Sequence, residues 1–334
     1  MTPINSLTLS KSHKPKSYLL NLFIMPKLKV SHSILIEEKS IKIYDIISNF
    51  KRWKTWSPWL LAEPDCLVNN SKNGDFNYWK GEIIGEGKMT ISEKSDNHDY
   101  LSATLEFLKP WKSKSIIHFL LKEKSEGTEV TWTMEGRLPI FLFWMKKSME
   151  VYIGEDYRRG LNLLKDLIET GKTNSKIEFL GMRTLKGCEF IGIKRHCRII
   201  EIGHCMEEDF TSLLTESHQK WEQLIGGFPF AVYHKFDMVK GKVIYTAALP
   251  MKSLPSDLPS KYLTGKRPTL ETYGLTHTGP CRHISNGWAT IVMHQRARKF
   301  KHDKKFPPIE IYLNSTKDTD ELKLKTEILF PAKR

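Results

Sequence analysis

The spacing of apolar residues along this chain changes period several times. In KVSHSILIEE (29–38) they alternate, as in a strand. In SIKIYDIISNFKRWKTW (40–56), Ile43, Ile46, Ile47 and Phe50 recur at helical spacing behind a capping Ser40. Strand-like runs follow at 76–94, 99–108, 113–124 and 128–138. Turns at Gly85-Glu86-Gly87, Asn97, Lys109-Pro110 and Glu126-Gly127 divide them, which predicts an antiparallel meander. From about residue 140 to 170 the spacing returns to three and four, through Met145, Met149, Tyr152, Ile153, Tyr157, Leu161, Leu164, Leu167 and Ile168. That predicts one long helix. The polar ETGKTNSK (169–176) then breaks the pattern. The reading is a helix-grip domain over 28–170 and a linker over 171–176.

The rest of the chain, 177–334, repeats one unit. A strand (190–197), a helix (207–225) and two strands (228–237, 243–250) are followed by a strand (270–279), a helix (283–300) and two strands (307–314, 324–331). Both halves end in an apolar run closed by proline, YTAALP and TEILFP. Two such units predict one sheet, both helices on one face, and a pseudo-twofold. The expected fold class is therefore α+β: a helix-grip antiparallel sheet with a long C-terminal helix, then a pseudo-twofold duplicated β-α-β-β domain.

The second domain holds the most pointed chemistry. In PPIEIYLN (307–314), Glu310 sits in an apolar run, and a buried carboxylate is costly unless paired or neutralised. Alternation puts Ile309, Ile311 and Leu313 on one face and Glu310 with Tyr312 on the other. With the helices over the isoleucine face, Glu310 and Tyr312 point to the opposite, groove side. The same logic places Glu327 beside Glu310. Aligning Asn314 with Asp237, and Pro331 with Pro250, sets Glu310 on Tyr233 and Glu327 on Thr246. The pseudo-twofold then faces Tyr233 with Glu310. A carboxylate facing a phenol suits a bound cation flanked by rings. It equally suits a general base beside an oxyanion donor. A solvated glutamate on an open sheet face is the plain alternative for Glu310 and Glu327. Trp221 reads as core; Trp288 fits either core or pocket wall. Turn or capping hydrogen bonds account for His277 and His283.

Composition adds limits. Of 334 residues, 40% are apolar and 27% charged, as in globular proteins. The net charge is +14, but residues 1–29 contain five lysines and no acid, leaving +9 thinly spread. RARKFKHDKK (296–305) reads as a solvated helix end and loop, so direct nucleic-acid binding is not expected. Five cysteines without a CxxC pair point to free thiols in a reducing, cytoplasmic setting. The cysteines and histidines of 188–205 match no common zinc spacing, so no metal or cofactor is expected; no window reaches the apolar length that a transmembrane helix needs, so no membrane partner is expected. Residues 1–27 read as a disordered leader or a mis-called start, with Met25 a natural beginning. Seven of the nine tryptophans fall in the first domain, more than an ordinary core needs. Trp79, Trp132, Met145 and Met149 are accordingly candidates for lining an apolar cavity there, against a plain core with exposed rings. GEIIGEGK (81–88) lacks phosphate-loop spacing.

Both halves also carry family resemblances. FKRWKTWSPWLLAEPD, GEGKMTISE, LEFLKPWKSKSIIHF, GTEVTWTMEGRLP and YIGEDYRRGLNLLKDLIE, in order across about 28–170, resemble the SRPBCC superfamily (START-like, polyketide cyclase/dehydrase-like). That resemblance implies an apolar ligand between sheet and helix. YHKFDM, IYTAALP, THTGPCRHISNGW, PPIEIYLN and KTEILFP, across about 176–333, resemble the GyrI-like effector-binding domain, also found on AraC-type and MerR-type regulators. That implies a small, often hydrophobic or cationic molecule between the repeats; some relatives hydrolyse small strained substrates. The family commonly has an aromatic after THTGP, where this chain has Cys281, which alters one pocket wall. Residues 1–27 are too short for a helix-turn-helix, so the resemblance does not imply transcriptional activity.

The expected function is a small-molecule-binding sensor or sequestering module without a DNA-binding part. Glu310 supplies charge, Tyr233 and Trp288 ring faces, with Tyr312 and Glu327 nearby. The rival class is a cofactor-independent hydrolase with Glu310 as base and Tyr233 as donor. A further rival places cyclase, dehydratase or lipid-carrier activity in the first domain.

Overall fold

The computed structural model describes residues 26–333, without the side chain of Ile140. Apart from residues 26 and 27, the expected leader lies outside the described residues. The first sheet has seven antiparallel strands: β1 (Lys27–Ile36), β2 (Leu67–Asn70), β3 (Phe76–Lys80), β4 (Glu86–Lys94), β5 (Tyr100–Lys109), β6 (Ser113–Lys124) and β7 (Gly127–Arg137). Their order is β1-β7-β6-β5-β4-β3-β2, the predicted meander with the first strand returning to pair with the last. The helix expected at 40–56 is two short ones, α1 (Ser40–Ile47) and α2 (Phe50–Trp53). Asn49 separates them: it leaves helical geometry at φ −128°, and its side chain accepts from Lys51 N at 3.1 Å, capping α2.

A 3-10 turn (Ile140–Met145) leads into the long helix α3 (Lys146–Thr170), ended by Gly171 at φ +77°, the left-handed stop that glycine adopts without strain. The helix lies along β1, and its apolar stripe, through Tyr157, Leu161, Leu164 and Ile168, joins the core cluster with Val130, Trp132 and Met134 of β7. This is the helix-grip arrangement.

The second sheet has nine strands: β8 (Lys176–Leu185), β9 (Cys188–Arg198), β10 (Phe230–Asp237), β11 (Lys242–Met251), β12 (Leu263–Arg267), β13 (Leu270–Thr278), β14 (Lys301–His302), β15 (Ile309–Tyr312) and β16 (Lys325–Lys333). Its order is β12-β9-β11-β10-β15-β16-β13-β8, with β14 on β16. The duplicated core is β9-β11-β10 meeting β15-β16-β13, with α4 (Ile202–Lys220) and α5 (Ile284–Arg296) as the paired helices. The edge strands β8 and β12 are largely solvent-facing and lack a clear apolar alternation. The offset of 77 residues, read by matching Asn314 to Asp237, places Val232 on Ile309. Those two residues are cross-strand partners in the ladder, so the pseudo-twofold passes through them. The proline match is out by two: Thr246 lies opposite Val232, whereas Leu329, not Glu327, lies opposite Ile309.

The two sheets are joined through buried polar contacts between α3 and the α5 end of the second sheet. Asp166 Oδ2 is 2.7 Å from His283 Nε2, and Arg159 Nη1 donates to Asn286 Oδ1 at 3.2 Å. Asn286 in turn donates to Ser175 Oγ, which is 3.0 Å from His277 Nε2. The four residues Arg159, Asp166, His283 and Asn286 are all buried, so losing one partner strands the others without water. His277 and His283 thus hold the connection together, which is more than the turn hydrogen bonds expected of them.

Candidate functional site

Glu310 lies in the short central strand β15, level with Ala231 of β10. Alternation holds: Ile309 and Ile311 pack with Phe230, Val232, Ala248 and Leu329, while Glu310 and Tyr312 face the other way. The face covered by helices differs from expectation. α4 brings Cys205, Met206 and Phe210, and α5 brings Trp288, onto the Glu310 side. Ala231 and Ala247, both fully buried, leave room there for larger side chains. The isoleucine face closes on apolar residues of β8, β9 and β13 instead. Strand period settles which residues share a face, but not which face the helices cover.

Glu327 therefore does not join Glu310. It is level with Ile311, on the opposite face, and pairs with Arg183 Nη1 at 2.9 Å. Ile328 and Phe330 take the helix side, with Trp288 against them.

Glu310 is only 2% exposed. Tyr233 Oη donates to its Oε2 at 2.7 Å and Tyr312 Oη to the same oxygen at 2.6 Å. Trp288 Nε1 donates to Oε1. Burial pushes the Glu310 carboxyl above the usual carboxylate range, and the bonds from Tyr312, Trp288 and Tyr233 pull it back only in part. Burial and the Glu310 charge hold both phenols well above their ordinary value, so they stay protonated donors. No lysine or arginine pairs with Glu310 among the described residues. The contrast is Asp209 on α4, buried on the same side of the sheet: Arg195 reaches it at 2.5 Å and Tyr245 Oη at 2.7 Å. One buried carboxylate has its cation within the protein; the other has only neutral donors.

Above Glu310 the helices and the start of α3 enclose a cleft of about 2250 Å³. Trp288 stands edge-on to Tyr233 at 4.9 Å and parallel to Phe236 at 6.1 Å. Phe210 meets Tyr312 at 5.1 Å, and Met206 Sδ is 3.6 Å from the Tyr312 hydroxyl. Tyr152 and Cys281 also line the cleft, so α3, which packs on the first sheet, contributes to its wall. The structure thus brings together Glu310, Tyr233, Tyr312 and Trp288 of the expected residues.

Sequence reasoning missed Phe236, Met206, Phe210 and Tyr152. Phe236 falls on the wrong face by strict alternation from Tyr233. A bulge between Tyr233 and Lys235 inserts one residue and turns Phe236 onto the Tyr233 side. Helical spacing marks Met206, Phe210 and Tyr152 as apolar positions, without distinguishing core from cleft.

In the first domain, Trp132 is not a cavity wall. It is buried, with Tyr157 stacked at 4.0 Å, Phe119 stacked at 4.9 Å, and Trp53 and Trp56 edge-on at 5.6 and 5.7 Å. Large rings fill that space as core. Trp79 leans edge-on against Phe107 at 5.9 Å, Met149 packs on the same core, and Met145 is partly exposed at the end of the 3-10 turn.

Among the described residues, no group of three or more His, Cys, Asp or Glu side chains is placed to hold a metal ion. No helix there is long and apolar enough to cross a membrane. No family model matches the chain, and no curated protein matches it. Among solved structures, it is similar to the C-terminal domain of EcmrR, at 14% identity and TM-score 0.37, over 48% of this chain and 98% of that one. SAV2435 bound to tetraphenylphosphonium is similar at 17% identity and TM-score 0.37, over 47% of this chain and 94% of that one. The Aha1 dimer from Colwellia psychrerythraea is similar at 18% identity and TM-score 0.33, over 43% and 98%. These are partial likenesses, each spanning under half of the chain; the fold stands on the two sheets described above.

Proposed function

We propose that the chain binds a hydrophobic organic cation in the cleft over Glu310. The observation that carries this reading is a nearly inaccessible carboxylate held by three neutral donors, with no cation of its own among the described residues. A positive ligand supplies the missing charge and sits between the ring faces of Trp288, Tyr312 and Phe236. The cleft is far larger than one side chain and its base is aromatic, which suits a bulky apolar ion. No role as sensor or sequestering module is separable from binding itself.

The hydrolytic alternative draws support from the raised Glu310 carboxyl, since a base near neutrality is an effective one. Against it, both carboxylate oxygens already accept hydrogen bonds, and Tyr233 spends its proton on Glu310 rather than on a substrate oxygen. Binding is the reading the geometry favours. Isothermal titration with tetraphenylphosphonium tests it: micromolar binding in the wild type and at least about tenfold weaker binding in Glu310→Gln are expected, the latter for loss of one buried charge partner. Equal affinity in the two proteins contradicts it.

A further inference from the structure

At the far end of the first sheet, four large rings face solvent. Trp111 is 58% exposed, in the turn between β5 and β6; Phe141, Phe143 and Trp144 are 71%, 64% and 69% exposed, in the 3-10 turn before α3. The two turns leave the sheet side by side, because β6 and β7 are paired up to Ser115 and Gly136. Within the 3-10 turn, Leu142 N donates to Pro139 O at 2.9 Å and Trp144 Nε1 to Phe141 O at 3.1 Å. Soluble proteins rarely expose such a cluster without a partner.

The charge around it is predominantly positive. Residues 107–117 and 136–149 contain no Asp or Glu, and they carry Lys109, Lys112, Lys114, Arg137, Lys146 and Lys147. Glu86 reaches Lys109 at 3.1 Å and Glu150 reaches Lys146 at 3.7 Å, which leaves the patch basic. Two copies meeting through this patch would set cation against cation. A surface of anionic headgroups over an apolar layer matches both features: rings enter the boundary, and lysines stay with the headgroups.

We propose that this end of the first domain docks on the surface of an anionic lipid bilayer, through Trp111, Phe141, Phe143 and Trp144 with Lys112 and Lys147 beside them. The sequence expectation of no membrane partner rests on the lack of a spanning helix, which does not bear on contact at an interface.

The test is flotation of the full chain with vesicles of phosphatidylcholine alone or mixed with phosphatidylserine. The wild type is expected to float with the mixed vesicles, to be released by high salt, and to ignore the neutral ones. The triple variant Phe141→Ser, Phe143→Ser, Trp144→Ser and the double variant Lys112→Glu, Lys147→Glu are each expected to lower that affinity at least about tenfold, from lost apolar insertion and lost charge attraction. Urea midpoints equal to wild type show that both variants fold. Failure of the wild type to float, or undiminished flotation of folded variants, overturns the proposal. So does a dimer that forms without vesicle binding and that the triple variant abolishes, since a second copy then covers the rings. Flotation gained only on removing residues 1–24 also overturns it. The carbonyl of Pro26 accepts from Leu138 N at 3.0 Å, which puts the start of β1 at this end of the sheet.

Discussion

The phenol of Tyr233 donates to the buried carboxylate of Glu310 across 2.7 Å, from adjacent strands of a duplicated sheet. The residues occupy equivalent places in the two repeats, beside the Val232–Ile309 pair on the pseudo-twofold. The symmetry of the fold is broken there chemically, with a donor on one side and an acceptor on the other. A proton donor and a carboxylate meet because the two repeats carry different residues at this equivalent position.

That contact sets the pH response of the cleft. Removing a donor in Tyr233→Phe, Tyr312→Phe or Trp288→Phe withdraws support from the ionised carboxylate, worth about 1.5–3 kcal/mol for a bond to a charged group. The Glu310 carboxyl, already raised by burial, then rises further. Cation affinity in the wild type should fall on acidification through a midpoint above the ordinary carboxylate value. In each variant the midpoint should lie higher. Titration calorimetry at stepped pH measures it; an unmoved midpoint in all three variants would show that these donors do not support the charge.

How much of this was legible in the sequence depends on what each feature needs. Period alone separated Glu310 and Tyr312 from the isoleucines, because side-chain alternation is a local property of a strand. The repeat brought Tyr233 to Glu310, because internal symmetry survives in sequence order. The side covered by α4 and α5 was not legible, since a strand buried on both faces reads as apolar with either orientation. That is why Glu327 was misplaced: half-buried, it pairs with Arg183, from a strand the sequence pattern does not show. Phe236 was lost to a bulge, which has no apolar signature. In the first domain the count of tryptophans was plain, but whether rings enclose a space or fill it is decided by contacts between distant strands.

Trp132 gives the second prediction. Sandwiched between Tyr157 and Phe119, it should behave as core. Trp132→Ala is expected to cost about 3–5 kcal/mol, the usual range for emptying a large aromatic site. Urea unfolding measures it. A loss under 1 kcal/mol, with altered binding of an apolar probe, would instead mean that the ring borders an open ligand space.

The buried connection between the two sheets should be acid-sensitive. Burial, followed by the nearby His283, lowers the His277 pKa to about 4. Its unfolded value is 6.5, so the unfolded chain takes up the proton first. Stability is therefore fully present above pH 6.5 and is lost as pH falls through about 4. The contribution is at most about 3 kcal/mol. His283, lowered by burial against the pull of Asp166, adds in the same direction. Urea midpoints measured from neutral pH downward should decline across that window, and more shallowly in His277→Asn. A flat profile would show that neither histidine is held neutral by the fold.

The proposed role of Glu310, a charge acting on a bound cation, is separated from a structural one by titrating wild type and Glu310→Gln with two ligands of matched shape, tetraphenylphosphonium and the neutral triphenylphosphine oxide. The substitution is expected to weaken the cation at least about tenfold while changing the neutral ligand less than about threefold, because only the first interacts with the removed charge. Equal loss for both ligands would contradict it and leave Glu310 as a structural anchor for Tyr233, Tyr312 and Trp288.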